Sequence, residues 1–149
     1  IVYGEELQAL CNAMKSHGEN KSTSEIFTRD GKNVLNSHAV LLIGLKDLRP
    51  KKPDNPLNCG GCGFEDCKGF LKTKRSEGND FPGPVCMFQS IDLGISLASA
   101  CSVAARFHVD NRIMYTIGGP ARKLGWMSSQ IIIGIPLSSA GKNIYFDRG

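Results

Sequence analysis

The sequence of 149 residues lacks several features that would assign a protein to a broad class. Its first residues, IVYGEELQAL, contain no basic segment followed by a long apolar run. No secretory signal is therefore visible, and we expect a reducing, cytoplasmic location. The net charge is only +4, too small for a protein that binds nucleic acid by neutralising many phosphates. We therefore expect no nucleic-acid partner.

An uninterrupted apolar stretch of membrane-spanning length is also missing. The most apolar stretch, Met87 to Ala105, contains Gln89, Asp92 and four serines. It is a poor membrane span, and we expect no membrane partner. We predict a long helix over residues 87–107 instead. Small residues line one face of this helix and suit it to close packing: Gly94, Ala98, Ser102 and Ala105.

The remaining hydrophobic pattern predicts helices and strands interspersed along a single domain, residues 1–149. Apolar residues at helical spacing predict a helix at 5–15, and candidate capping residues at 22–24 indicate a short helix near 25–27. Further short helices are predicted at 64–74 and at 120–124. Runs of branched apolar residues predict strands at 38–45, 112–117 and 131–137. The predicted fold class is α+β, a mixed α/β core of three to four strands flanked by helices.

A segment of different composition, residues 46–89, is predicted to be inserted in this core. Near its start it contains RPKKPDNP, whose three prolines exclude regular structure. The thirty residues from Lys46 to Arg75 carry eight basic and four acidic side chains, so they account for the whole net charge. The basic excess therefore surrounds the cysteines of this segment.

Four of the six cysteines are clustered in this segment with the spacing C-x2-C-x4-C-x18-C. These four clustered cysteines are Cys59, Cys62, Cys67 and Cys86. Neighbouring glycines allow the chain to fold tightly around a bulky centre. Four thiolates in a compact segment favour an iron–sulfur cluster. A structural zinc site more often has two separated CxxC pairs, and disulfides are rare in a reducing compartment, but both stay open as alternatives. Cys11 and Cys101 are expected to be small buried apolar residues.

The segment CGGCGFEDC, with its remote fourth cysteine, resembles the four-iron segment of the Rnf electron-transport B subunit and of corrinoid iron–sulfur proteins. The rest of the chain resembles a family of uncharacterised proteins from archaea and anaerobic bacteria that contain a ferredoxin domain. The matching stretches are LNCGGCGF, DLGISLASA, VDNRIMYTIG and IPLSSAGKNIYFDR. The resemblance implies that the four clustered cysteines bind a [4Fe–4S] cluster. It implies no particular reaction.

A second candidate site follows the predicted strand at 112–117. Gly118 and Gly119 precede a short helix that begins with proline, and Arg122 and Lys123 lie one turn further on. Amides at a helix N-terminus together with two cations favour an anion, for instance the phosphate of FMN. A tight turn with solvated basic side chains is the simpler interpretation. The three predicted strands and the helix with the small-residue face are also loosely similar to the nitroreductase-like flavoprotein fold. His17 is expected at the surface.

These observations leave three hypotheses about function. The first is a redox protein that transfers single electrons through one [4Fe–4S] cluster to a partner protein, which the basic segment predicts to be acidic. The second is a reductase in which the cluster supplies electrons to a flavin and a small-molecule substrate. The third is an interaction module held together by zinc or by the cluster, as a homodimer packed through residues 87–107. The sequence identifies no catalytic residue.

Overall fold

The N-terminal half consists of two packed helices followed by a strand. In the computed structural model, which describes residues 1–146, the second helix is longer than the one predicted near 25–27. Its buried face includes Asp30 and Gly31, so the apolar pattern of that face is incomplete in the sequence. Arg29 and Thr116 hydrogen-bond to the Asp30 carboxylate, at 2.7 and 2.8 Å. The elements are β1 (Val2–Tyr3), α1 (Glu5–Gly18), α2 (Ser24–Leu35) and β2 (Ala39–Leu45).

The rest of the chain contains the longest helix and one of the two central strands of the sheet. Its elements are α3 (Cys67–Lys72), β3 (Ser76–Glu77), β4 (Pro82–Gly83), α4 (Met87–Arg106), β5 (Asp110–Asn111), α5 (Gly118–Lys123) and β6 (Ile131–Ser138). The predicted strand at 112–117 is wrong. Only Met114 forms an isolated bridge, to Gly134, and Tyr115–Ile117 is a 3-10 turn. Met114 and Ile117 are buried where this turn packs against β6, whereas Ile113 and Tyr115 are exposed.

The main sheet is antiparallel, with the strand order β1-β2-β6-β5. Alternate residues of β2 and β6 face opposite sides. Val40 and Ile132 face a core built with α1, α2 and α5, whereas Leu41 and Ile135 face α4. Because helices cover both faces, these strands consist almost entirely of residues without polar side chains, and Ser138 at the end of β6 is the exception. The mixed arrangement of helices and sheet confirms the α+β prediction.

The inserted segment leaves the sheet after β2 and returns to nearly the same point. The backbone N–H of Cys86 donates to the carbonyl of Leu48, at 2.8 Å, and the Gln89 side chain donates to the carbonyl of Arg49, also at 2.8 Å. Leu48 is fully buried. Both ends of the segment are therefore fixed at the start of α4. The prolines of residues 49–56 lie outside helices and strands, in agreement with the prediction.

Candidate iron–sulfur site

All four clustered cysteines line one cavity of about 360 Å³ at the start of α4. They are free thiols that differ in exposure. Cys67 and Cys86 are buried, Cys62 is partly buried and Cys59 is exposed. Apolar side chains form much of the remaining wall: Pro50, Pro56, Leu57, Phe64, Met87 and Phe88. The fold therefore brings residues separated by 27 positions to one apolar cavity that opens at Cys59.

The loop that carries Cys59 and Cys62 depends on glycine. Gly60 and Gly63 have positive φ angles of 71° and 85°, where a side chain is disfavoured. The N–H of Gly63 donates to the carbonyl of Gly60, at 2.9 Å, which closes the turn. At Gly61 a Cβ would lie 2.5 Å from the sulfur of Met87. A side chain at Gly61 would therefore force the flexible end of Met87 to move away from the loop.

The two buried cysteines are held by helix ends. Cys67 is the first residue of α3, and Asp66 caps this helix by accepting a hydrogen bond from the N–H of Gly69, at 2.7 Å. The side chain of Asn58 accepts a hydrogen bond from the N–H of Cys67, at 3.0 Å. Cys86 occupies the N-cap position of α4. Both thiols therefore project from fixed backbone.

The chemistry of this donor set fits an iron–sulfur cluster, which needs four thiolates in a largely apolar surrounding. Phe64 and Phe70 pack edge to face beside Cys67, with ring centroids 5.6 Å apart. Within residues 1–146, no three His, Cys, Asp or Glu side chains are arranged to hold a single metal ion. The agreement with an iron–sulfur cluster therefore rests on the four thiol donors and on the cavity that they share.

The other two cysteines lie away from the cavity. Burial raises the pKa of the Cys101 thiol, and burial also raises that of Cys11, against a smaller lowering effect of Lys15. Both thiols therefore stay protonated and unreactive at neutral pH. Both are only partly buried, although they were expected to be buried, and Cys101 packs with the residues between α4 and the sheet.

Some charges of the basic segment form ion pairs, and others do not. Hydrogen bonds from Arg49 lower the pKa of Asp47 to about 2, and Arg75 lies 3.6 Å from the same carboxylate. Lys51 pairs with Asp92 at the edge of the cavity.

Lys52 also lines the cavity, and among residues 1–146 it forms no ion pair. The same is true of three exposed lysines on or just after α3: Lys68, Lys72 and Lys74.

At the second candidate site, neighbouring protein atoms fill the space beside the two glycines. Gly118 and Gly119 are buried, and a Cβ on Gly118 would lie 1.7 Å from the carbonyl oxygen of Ile132. Arg122 is paired with Glu77, at 2.8 Å, and Lys123 is exposed. These packing contacts explain why glycine is present at both positions, and the explanation requires no bound ligand. The anion or FMN site stays a prediction with no support from this geometry.

A buried polar cluster that the sequence did not reveal lies beside Gly119. His17, expected at the surface, is buried, and its Nε2 lies 2.5 Å from a carboxylate oxygen of Asp80. Lys21 pairs with the same oxygen. Asp80 belongs to the inserted segment, whereas His17 and Lys21 belong to or follow α1. This pairing needs the tertiary structure, because 59 to 63 residues separate the partners along the chain.

Comparison with known proteins identifies two similarities. A family model described as "Uncharacterized protein containing a ferredoxin domain (DUF2148)" matches residues 82–148. This range includes Cys86, and its last two residues lie outside the described part of the chain. A protein of Archaeoglobus fulgidus named "Uncharacterized protein" is 45% identical over 150 residues, which cover 99% of this chain and 78% of the relative. No solved structure matches, so the likeness to nitroreductases is unsupported.

Proposed function

Because the chain belongs to a family of uncharacterised proteins described as containing a ferredoxin domain, which implies an iron–sulfur cluster, we propose that it transfers single electrons through one [4Fe–4S] cluster. The observation that carries this proposal is the shared cavity of the four clustered cysteines. These cysteines would be the ligands. When bound, such a cluster supplies reversible one-electron reduction.

The chain contributes the surroundings that govern this chemistry. Buried Cys67 and Cys86, with Phe64 and Met87, keep one side of the cavity dry, and low polarity disfavours additional negative charge. Lys52 at the cavity wall acts in the opposite direction, because its positive charge stabilises the more negative reduced form. The reduction potential therefore depends on the balance between burial and the basic segment.

The exposed edge of the cavity favours a protein partner for the electron. Cys59 is exposed, and Leu57 and Phe88 beside it are apolar side chains that reach solvent. Lysines without ion pairs in residues 1–146 lie in the same segment. An apolar contact surrounded by positive charge is complementary to an acidic redox protein, and such charge increases the rate of encounter.

The test is anaerobic purification of the full chain followed by iron, sulfide, zinc and flavin analysis. We expect four iron and four sulfide per chain, a broad absorbance at about 400 nm that bleaches with dithionite, and an electron paramagnetic resonance signal after reduction. Stoichiometric zinc without sulfide would contradict the proposal and favour a structural site. Flavin released by heat would favour the reductase hypothesis.

Single cysteine substitutions assign the ligands. Cys86→Ser should lose most of the iron and sulfide and lower stability, because the free energy of ligation is also folding free energy. The matched control is Cys101→Ser, which changes a half-buried thiol of the same type outside the cavity and should keep the full cluster. A complete four-iron cluster in the Cys86→Ser protein would exclude this residue as the fourth ligand.

A further inference from the structure

The long helix α4 presents an apolar face that no part of residues 1–146 covers. Its opposite side packs on the sheet through Leu93 and Leu97. No charged residue occurs between Asp92 and Arg106. The large apolar residues on the uncovered face are between 46% and 75% exposed: Ile91, Ile95, Val103 and Phe107. A contiguous apolar face of this kind on a folded protein indicates an interaction site.

The composition of this face is symmetric about Ser99. Ile95 and Val103 lie four residues to either side of it, and Ile91 and Phe107 lie eight residues to either side. Asp92 and Arg106 lie seven residues to either side and carry opposite charges. In an antiparallel pair of identical helices centred on Ser99, each of these residues therefore meets its complement in the other copy.

We propose that a second copy of this chain covers α4, with the two helices antiparallel and crossing at Ser99. The dimer is isologous, so that every contact occurs twice. Ile95 of one copy packs on Val103 of the other, and Ile91 packs on Phe107. Asp92 of each copy lies near Arg106 of the other. Arg106 forms no ion pair within residues 1–146, so it is available for this contact.

Small side chains at the crossing point permit close approach of the two helices. Gly94, Ala98 and Ser102 are exposed on or beside the uncovered face, close to Ser99. The distance between packed helices depends on the size of the side chains at the contact. Small residues at the centre with larger apolar residues towards both ends form a surface that is complementary to itself.

A membrane fits this helix less well than a second copy. By length and composition, α4 is the one helix within residues 1–146 that could cross a bilayer. Crossing would remove Leu93 and Leu97 from their contacts with the buried Ile135 of the sheet. Binding along a membrane surface typically uses several basic residues on the polar face of a helix, and α4 contains only Arg106.

The antiparallel arrangement keeps the two cysteine cavities apart. Cys86 lies at the start of α4, 13 residues before Ser99. At 1.5 Å per residue, the two copies of Cys86 would be about 39 Å apart along the helix pair. Each cavity therefore remains open at its own end of the dimer. The proposal stands without the cluster, since it uses only residues of α4 and Phe107, which directly follows it.

The test is sedimentation equilibrium of the full chain, purified anaerobically, over a range of concentrations. We expect a species of twice 16.1 kDa. Ile95→Lys should give a folded monomer, because it places two charges in the apolar contact. The matched control is Leu71→Lys, a similarly apolar exposed position on α3, which should leave the dimer intact. Circular dichroism confirms that each variant is folded.

Charge exchange tests the register and does not depend on the Ile95 variant. Arg106→Glu should raise the dimer dissociation constant by about tenfold or more, since two repulsive contacts form by symmetry. Combining it with Asp92→Lys should restore the wild-type constant to within about threefold. Lys51→Ala removes the existing partner of Asp92 and should not weaken the dimer.

Four results would overturn the proposal. The first is a wild-type monomer at about 100 μM, a concentration at which a specific dimer persists. The second is a dimeric Ile95→Lys protein, and the third is no recovery of dimerisation in the charge-exchanged double variant. The fourth is flotation of the monomer with vesicles of mixed anionic and zwitterionic phospholipid. The last result would assign the face to a membrane.

Discussion

Gly118 shows how the absence of one side chain positions a whole element. A Cβ at this residue would lie 1.7 Å from the carbonyl oxygen of Ile132 and 2.7 Å from the ring of Phe81. The carbonyl belongs to β6, which is paired on both sides, so it cannot move without disturbing the sheet. Gly118 therefore lets α5 contact β6 directly, and it also lets Phe81 of the inserted segment pack there.

The substitution Gly118→Ala should lower the free energy of unfolding by about 3 kcal/mol, because the added methyl group overlaps backbone rather than a flexible side chain. Urea unfolding, followed by the fluorescence of the single tryptophan Trp126, measures this change. The control is Gly141→Ala, at an exposed position with open space around the glycine, where the change should stay within about 0.5 kcal/mol. Equal stability of the two variants would refute the close-contact explanation.

At the scale of elements, the hairpin β3–β4 fastens the inserted segment to the core. Its turn is closed by the N–H of Gly78 and the carbonyl of Phe81, at 3.0 Å. Asp80 in this turn pairs with His17 and Lys21. Partial burial raises the pKa of Asp80, but the hydrogen bonds and charges of Lys21 and His17 together outweigh it, so the net pKa is lowered. The hairpin is thus held by its ionised carboxylate.

Replacing this carboxylate, Asp80→Asn, should destabilise the protein at pH 7 by about 1–2 kcal/mol. A group whose folded-state pKa is lowered contributes stability above its unfolded value, here about 3.9, and that stability is lost as the pH falls towards the folded-state pKa. The difference between wild type and variant should therefore shrink below about pH 4. Urea unfolding at pH 7, 5 and 3.5 measures it.

The matched control for this variant is Asp54→Asn, an exposed carboxylate of the same segment with no ion pair in residues 1–146. It should leave stability unchanged across the same pH range. A constant difference between wild type and Asp80→Asn at all three pH values would show that the ionised carboxylate does not stabilise the hairpin.

The helices and strands were predictable where a single face or run is uniformly apolar. α1, β2, α4 and β6 lie within one or two residues of their predicted positions at most ends. The strand expected at 112–117 failed for a different reason. Ile113, Met114 and Ile117 resemble a strand, but Gly118 and Gly134 allow this stretch to turn and pack across β6 instead of pairing along it. The local periodicity of the sequence carries no information about that long-range contact.

At the scale of the whole molecule, the excess positive charge is concentrated in the inserted segment. The basic excess lies between Lys46 and Arg75. Arg49 and Arg75 share the carboxylate of Asp47, and Lys51 pairs with Asp92, so these ion pairs offset only part of the excess. The lysines on and just after α3 form no ion pair within residues 1–146. A positive field beside the proposed cluster should attract anionic electron acceptors and repel cationic ones.

Oxidation of the reduced protein tests this field with small reagents of known charge. The triple variant Lys68→Glu, Lys72→Glu, Lys74→Glu should slow oxidation by ferricyanide about tenfold at low salt, and should slow oxidation by a cationic cobalt complex less or not at all. The difference should decrease as ionic strength rises. Stopped-flow absorbance measures both rates.

The control carries the same charge change outside the inserted segment: Lys15→Glu, Lys32→Glu, Lys123→Glu, at three exposed positions on α1, α2 and α5. It alters net charge equally but leaves the inserted segment unchanged. If both triple variants react with ferricyanide at the same rate, the local field of the inserted segment does not direct electron transfer.

The sequence by itself determined which residue types are available and where they cluster. The spacing of the four clustered cysteines, the prolines around them and the local basic excess predicted an inserted segment with thiolate chemistry, because these features are local along the chain. The apolar runs likewise determined an α+β core. These properties can be inferred without knowing which residues are in contact in the folded protein.

Only the tertiary structure decided which groups meet. It assigned Gly118 and Gly119 to close packing, joined Asp80 to His17, and left one face of α4 uncovered. Each result depends on contacts between residues distant in sequence, which side-chain volume and backbone approach determine. The sequence lacks a strong net charge and an uninterrupted apolar run, and the structure shows where its modest charge and its interrupted apolar stretch lie. The excess charge surrounds the cysteine cavity. The interrupted apolar stretch forms α4, whose exposed face is symmetric about Ser99.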